Sequence, residues 1–248
     1  MHHVDPARVA LVRPEDQFVM SFPRSGNTWM RILITRAVFA EAREPESNES
    51  FELLIPDIHV EKRPLDSDVS QRLLGKRRLI KSHTLEGFEA HRMVYVFRRP
   101  EDSLISAYFQ AMGRPESQER VQQKGPDRYC IDRMPLWNAH MELALSLDCD
   151  DQVYMAAYED MKRDTQAVLG PVLAFLGLTV SAANIAQAVK ETEFSKLQKQ
   201  YPSETRPMFR KGIIGDAKNH LKEETLAKIE SESGGLYNAA CAKLRYSL

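Results

Sequence analysis

The feature that most constrains this chain is the stretch VMSFPRSGNTWMRIL, residues 19–33. An apolar run ends at Pro23, a short polar loop follows, and from Thr28 the pattern is helical. A strand that stops in a tight loop and feeds a helix presents backbone N–H groups, and the positive end of the helix dipole, to an anion. In open α/β sheets that edge is where ligands bind. Gly26 lets the backbone approach closely. Ser25, Asn27 and Thr28 offer side-chain hydrogen bonds, and Arg24 a planar, permanent cation suited to phosphate. No Lys follows Gly26, so the G-x-x-x-x-G-K-[ST] loop of triphosphate hydrolases is absent. Taken alone, PRSGNT also fits an ordinary turn with a helix cap.

Further short apolar runs read as strands of a parallel sheet buried on both faces: Phe18–Phe22, Leu79–Lys81, Met93–Phe97 and Val153–Ala157. Helical patterns lie between them, over Thr28–Ala42, Pro100–Met112, Leu136–Leu147, Thr165–Leu176 and Ala182–Val189. In the second, Leu104, Ile105, Tyr108, Phe109 and Met112 share one face. Pro100 suits the first turn, and Glu101 and Asp102 complement its dipole. The alternation predicts an α/β class, doubly wound. Three polar, Pro- and Gly-punctuated connections, 43–75, 113–135 and 198–210, read as lids or binding loops. The 248 residues fit one domain, 1–248.

Two other clusters join the opening loop. Arg98 and Arg99 follow the strand MVYVF directly, and FRKG places Arg210 and Lys211 after Phe209 and before Gly212. Three basic loops in a chain of net charge −1 are better explained by one polyanionic ligand than by bulk attraction to nucleic acid or membrane. Lys81 and His83 end another strand on one face, and an imidazole beside an anion site suits a general base. Cys130, Cys149 and Cys241 show no disulfide or zinc spacing, and the N-terminus has no secretory pattern. Both predict a cytoplasmic protein.

These residues resemble one family, the cytosolic-type sulfotransferases that use 3′-phosphoadenosine 5′-phosphosulfate (PAPS). FPRSGNTW is similar to that family's YPKSGTTW, YVFRRPEDSLISAY (95–108) to YVFRNPKDVLVSYY, and RKGIIGDAKNHL (210–221) to RKGxxGDWKNHF. KSH (81–83) and YEDM (158–161) match two further segments, in the family's order.

The resemblance implies a P-loop-like three-layer fold, a central parallel sheet flanked by helices. It implies that Arg24, Ser25, Gly26, Asn27 and Thr28 hold the 5′-phosphate. Arg98, Ser106, Arg210, Lys211 and Gly212 take the 3′-phosphate, with Phe209 alongside. Trp29, Tyr158, Thr192 and Phe194 surround the adenine. His83 is the implied base for an acceptor hydroxyl attacking sulfur in line. Lys81 and Arg24 stabilise the leaving adenosine 3′,5′-bisphosphate (PAP), and no metal is required. The implied partner is a small-molecule acceptor, with no nucleic acid and no membrane.

Arg24 stands where that family has Lys, and Ala217 where it has Trp. Lys222, Glu223 and Ala227 break its dimer motif K-x-x-x-T-V-x-x-x-E, so that dimer mode is not supported and the oligomeric state stays open. A phenol, an alcohol and an amine all fit as acceptors. Phe51, Leu53, Leu54, Ile55, Tyr129 and Tyr201 suit an apolar slot, and Glu49, Asp57 and Asp132 suit a cationic group. The competing readings are a P-loop small-molecule kinase, disfavoured by the missing Lys, and a non-catalytic nucleotide binder.

Overall fold

A computed structural model of the chain describes residues 4–147, 151–201 and 211–245. Four strands form one parallel sheet: β1 (Gln17–Met20), β2 (Leu79–Ser82), β3 (Arg92–Phe97) and β4 (Val153–Ala157), in the order β2-β1-β3-β4. Phe18 pairs with Ile80 on one side and Met93 on the other, and Tyr95 pairs with Met155. Every residue of β1, β2 and β4 is buried, as a sheet covered on both faces requires.

The period-two alternation divides the strand side chains between two cores. Val19, Val94, Val96 and Ala156 pack against α2 (Asn27–Ala42), α8 (Thr165–Phe175) and α9 (Ala182–Glu191). Phe18, Met20, Tyr95, Phe97 and Met155 face α5 (Pro100–Met112), α6 (Pro115–Ser146) and α11 (Glu223–Cys241). This is a three-layer α/β fold. The remaining helices are short: α1 (Pro6–Val9), α3 (Ser50–Leu54), α4 (Asp68–Leu74), α7 (Tyr158–Arg163) and α10 (Phe194–Gln200). Strand order reverses at β1, so the loops after β1 and β3 leave in opposite directions and open a crevice.

Several local expectations need correction. Residues 113–135 are helical from Pro115, not an irregular connection. Gly125 (φ 71, ψ 169) is a break at which two helical segments meet, and Pro126 starts the second, where its missing N–H costs nothing. Beyond the break Tyr129, Cys130, Met134, Trp137, Met141 and Ala144 are buried at helical spacing. The segment 43–75 holds α3 and α4. Helices α10 and α11 had no clear sequence signal. The buried face of α11 is Thr225, Ile229, Ser233, Gly234 and Ala240, too small and polar to register as an apolar stripe. Cys130 and Cys241 are free thiols, and Cys149 lies outside the described residues.

Candidate active site

The loop after β1 carries two residues with positive φ, Arg24 at 70° and Gly26 at 104°. For a bulky residue that conformation is uncommon, and such strain persists where surrounding structure fixes it, characteristically at functional sites. At Gly26 a Cβ would stand 2.7 Å from the Tyr158 ring, so only glycine lets the tyrosine lie against the loop. Gly26 caps α2 with no side-chain bond, which leaves the first N–H groups of a 16-residue helix directed at the crevice. Asn27 does not offer its amide outward; its Nδ2 donates to the Val19 carbonyl at 3.0 Å and ties loop to strand. Ser25 is buried, its hydroxyl 3.3 Å from that of Ser103.

A cavity of about 350 Å³ opens over this loop. On its wall stand Arg24, Gly26, Asn27, Thr28, Trp29, Lys81, His83, Arg98, Ser106, Tyr158, Phe194, Lys211 and Gly212. The sequence reading placed all of these in one site, from seven separate segments. Ser25 and Thr192 do not line it; the Thr192 hydroxyl donates to the Ala188 carbonyl at 2.8 Å, inside its own helix. Phe209 and Arg210 lie outside the described residues.

The cations expected on the 3′-phosphate side are fixed by neighbours. Arg98 Nη2 donates to the Ile213 carbonyl at 3.1 Å, and its guanidinium carbon sits 4.5 Å from the Tyr158 ring centre. The Arg98 Nε and Trp29 Nε1 are buried and meet no hydrogen-bond acceptor among the described residues. Buried donors of that kind call for a partner. Arg24 Nε donates to Ser106 Oγ at 3.1 Å, which joins the two expected phosphate subsites. The Asp102 carboxylate accepts from Gly215 N at 2.7 Å and Ala217 N at 3.1 Å, which pins the 211–217 segment to α5. Gly212 (φ 64°) packs against Phe194 so closely that a Cβ would clash at 2.5 Å. Trp29 meets Tyr158 edge to face with ring centres 5.8 Å apart. Lys162 Nζ lies 5.3 Å from the Phe194 ring and 5.8 Å from Trp29. Trp29 and Phe194 thus frame a slot suited to a planar base, with a cation beside it.

Lys81 is buried and donates to Asp57 Oδ2 at 2.8 Å. Burial lowers its pKa to about 8, against the pull of Asp57, while Arg31 lowers it further. At Asp57 burial pushes the pKa up, but the Lys81 charge and hydrogen bond, the His59 N–H bond and Arg31 outweigh it and hold the carboxylate below its usual range. Asp57 therefore serves the Lys81 ammonium, not a cationic acceptor. Arg31, pushed down by burial to about 10, donates to the Ile55 carbonyl behind this pair. Asp57 and Arg31 are the partners sequence reasoning missed in these roles. The visible signal was an isolated Asp in an apolar run, FELLIPDI.

His83 stands just past β2. Its Nδ1 is 2.9 Å from the Ser21 carbonyl; a carbonyl only accepts, so Nδ1 carries the proton and Nε2 keeps the lone pair. The His83 N–H donates to His59 Nε2 at 3.1 Å. The His83 carbonyl accepts from His140 Nε2 at 3.1 Å, and His140 Nδ1 accepts from the Tyr95 hydroxyl at 2.7 Å. Burial drives the His140 pKa down to about 4, so this second imidazole is neutral and positional. A second cavity, about 530 Å³, adjoins the first. Pro23, His83, Gln110 and Arg114 line both. Tyr129 lines it as well, whereas Leu54 and Ile55 are core, Leu53 faces solvent and Phe51 lines the first cavity. Among the described residues no group of three or more His, Cys, Asp or Glu side chains is placed to hold a metal, and no helix is long and apolar enough to cross a membrane.

Comparison with known proteins places this geometry. The family model described as "Sulfotransferase domain" matches residues 14–234. Mouse Sulfotransferase 1E1 is 24% identical over 237 residues, covering 86% of this chain and 80% of its own. Human Sulfotransferase 2A1 is 24% identical over 242 residues, with coverage of 89% and 82%. Among solved structures, mouse sulfotransferase SULT7A1 complexed with PAP superposes with a TM-score of 0.63 at 22% identity, covering 92% of this chain and 89% of that one. A retinol dehydratase in complex with retinol and PAP gives 0.63 at 16% identity, covering 99% and 89%.

Proposed function

We propose, for a chain that belongs to the sulfotransferase family and is an enzyme of it, that it transfers the sulfuryl group of PAPS to the hydroxyl of a small-molecule acceptor. One observation carries the reading: His83 lies on the wall of both cavities, with its proton on Nδ1 and its lone pair on Nε2. One cavity is lined by the phosphate loop and cations, the other by apolar and polar side chains that suit an acceptor. PAP in two solved structures of the same fold supports the choice of nucleotide.

PAPS supplies the activated sulfuryl group. The α2 N-terminus with Thr28 and Arg24 holds the 5′-phosphate. Arg98, whose Nε meets no acceptor among the described residues, takes the 3′-phosphate with Ser106, Lys211 and the Gly212 backbone. Trp29 and Phe194 sandwich the adenine. His83 Nε2 accepts the proton of the acceptor hydroxyl as its oxygen bonds to sulfur and the bond to the bridging oxygen breaks. Lys81 and Arg24 stabilise the charge that grows on the departing bisphosphate, an interaction stronger in the transition state than in the ground state. These fixed cations neutralise the leaving group without a metal in the scheme.

The test is transfer of labelled sulfate from PAPS to a panel of phenols, alcohols and amines. His83→Ala should keep PAP affinity and lose about 10²- to 10⁴-fold in rate, the range for a general base. Turnover near the wild-type value in that variant overturns the assignment. Exclusive labelling of amines overturns the hydroxyl acceptor.

A further inference from the structure

The second cavity has an uneven charge distribution that sulfuryl transfer itself does not need. Both halves of the broken helix α6 face it. The stretch before Gly125 contributes Arg114, Arg120 and Lys124, and the stretch after it contributes Arg133. Spacings of four to ten residues before the break, and the turn the break imposes, bring cations separated by up to 19 positions in sequence to one concave wall. Lys124 is neutralised by Asp132 at 2.7 Å, and Asp132 also takes Arg128 at 2.8 Å. Asp132 is thereby spent within α6 and does not stand ready for a cationic acceptor. Among the described residues no carboxylate lies within ion-pair distance of Arg114, Arg120 or Arg133. Arg133 rests its guanidinium over the Tyr129 ring at 4.8 Å. All three arginines also act electrostatically on the buried Tyr129 phenol, each favouring its ionised form, so their charges converge on one place. The floor beneath them is apolar, with Phe22, Val121 and Tyr129.

These arginines, though solvent-accessible, line a concavity; of the two carboxylates on its wall, Asp132 is occupied by Lys124 and Arg128, and Glu86 lies beyond ion-pair distance of all three. Three exposed guanidinium groups gathered around one apolar floor make a concave positive surface that concentrates an anion there.

We propose that the acceptor of this enzyme is a hydroxylated molecule that carries an acidic group, a carboxylate or a phosphate or sulfate ester. The acidic group docks on Arg114, Arg120 and Arg133 while its hydroxyl reaches His83. The inference rests on the sulfotransferase reading for the hydroxyl end only; the anion site stands on the charges of α6. Arginine is the side chain for this task, since its fork takes a carboxylate or phosphate by two parallel hydrogen bonds. Arg114 lines both cavities, so a bound acidic group sits on the acceptor side of the junction with His83.

The experiment is direct binding to the full chain by calorimetry, with and without saturating PAP. The probes are a series of hydroxyaryl and hydroxyalkyl carboxylates of increasing span, beginning with p-hydroxyphenylpropionate. Each is compared with its methyl ester, with a phosphate-ester analogue and with tyramine. Charge-assisted bonds of the ordinary strength predict that at least one acid binds about 10- to 100-fold tighter than its ester. Tyramine should be weakest. The preference should shrink as salt is raised. Arg120→Gln combined with Arg133→Gln should bring acid and ester within about threefold of each other, with PAP affinity as the check that the fold is intact. Comparing the carboxylate and phosphate arms identifies the anion. Equal binding of every acid and its ester, preference for tyramine, or an acid preference untouched by the double variant overturns the inference. Failure to bind PAP, with the acid preference intact, overturns the sulfotransferase reading of the site and leaves the anion site standing.

Discussion

Asp57→Asn isolates the Lys81 ammonium from the rest of the site. In the wild type, burial sets the Lys81 pKa near 8 while Asp57, 2.8 Å away, pulls it upward. If Lys81 acts as a cation in transfer, activity is present below that pKa and lost as pH rises through about 8. At pH 7 roughly nine-tenths of a group with that pKa is protonated. An adjacent opposite charge is worth about 1–3 pKa units. Taking about 2 units, Asp57→Asn lowers the Lys81 pKa to about 6 and leaves roughly a tenth protonated at pH 7. The expected result is a loss of about tenfold in kcat/KM for PAPS at pH 7, shrinking toward pH 6. The assay is the pH dependence of kcat/KM for PAPS, which reports groups of the free enzyme. Circular dichroism would check that the variant is folded, since a buried charge without its partner is costly. An alkaline limb that stays near pH 8, or moves to higher pH, would refute the coupling of Asp57 to Lys81 and with it the role of the lysine charge.

Two further outcomes follow from the loop. Gly26→Ala puts a Cβ 2.7 Å from Tyr158 at φ 104°; displacing the ring should weaken PAP binding by about 10-fold or more, at about 1–3 kcal/mol of strain, measured by calorimetry alongside thermal unfolding. Arg24→Lys keeps the charge but loses the Nε bond to Ser106; the expected loss is about 5- to 30-fold in kcat/KM, for one charge-assisted bond, and an unchanged value would mean that the charge alone is used.

Much of the candidate site is legible in the chain because its groups belong to local motifs. A strand, a tight loop and a helix occupy 17–42 by their own periodicity, and a glycine is demanded where φ reaches 104°. Arg98 ends β3 and Ser106 lies two helical turns on, so their meeting needs only strand and helix geometry. Helix α5 begins and ends where Pro100 and Met112 put it. The misread segment 113–135 failed for a definite reason. Gly and Pro ordinarily punctuate loops, yet here Gly125 and Pro126 join two helices whose stability comes from packing Tyr129, Met134 and Trp137 into the core.

What the sequence alone determined is the class of fold and which residues gather in the proposed phosphate-binding half of the site, since both rest on short-range patterns of backbone and charge. Tertiary structure decided the rest. It set Asp57 beside Lys81, 24 positions away, and turned an expected acceptor contact into the tuning of a lysine. It fixed the protonated nitrogen of His83 by placing Ser21 opposite it, 62 positions earlier. It bent α6 so that arginines on both sides of one glycine face a single cavity. Such contacts depend on which surfaces the packed core brings together, and charge strength and proton position depend on the burial and neighbours that packing creates.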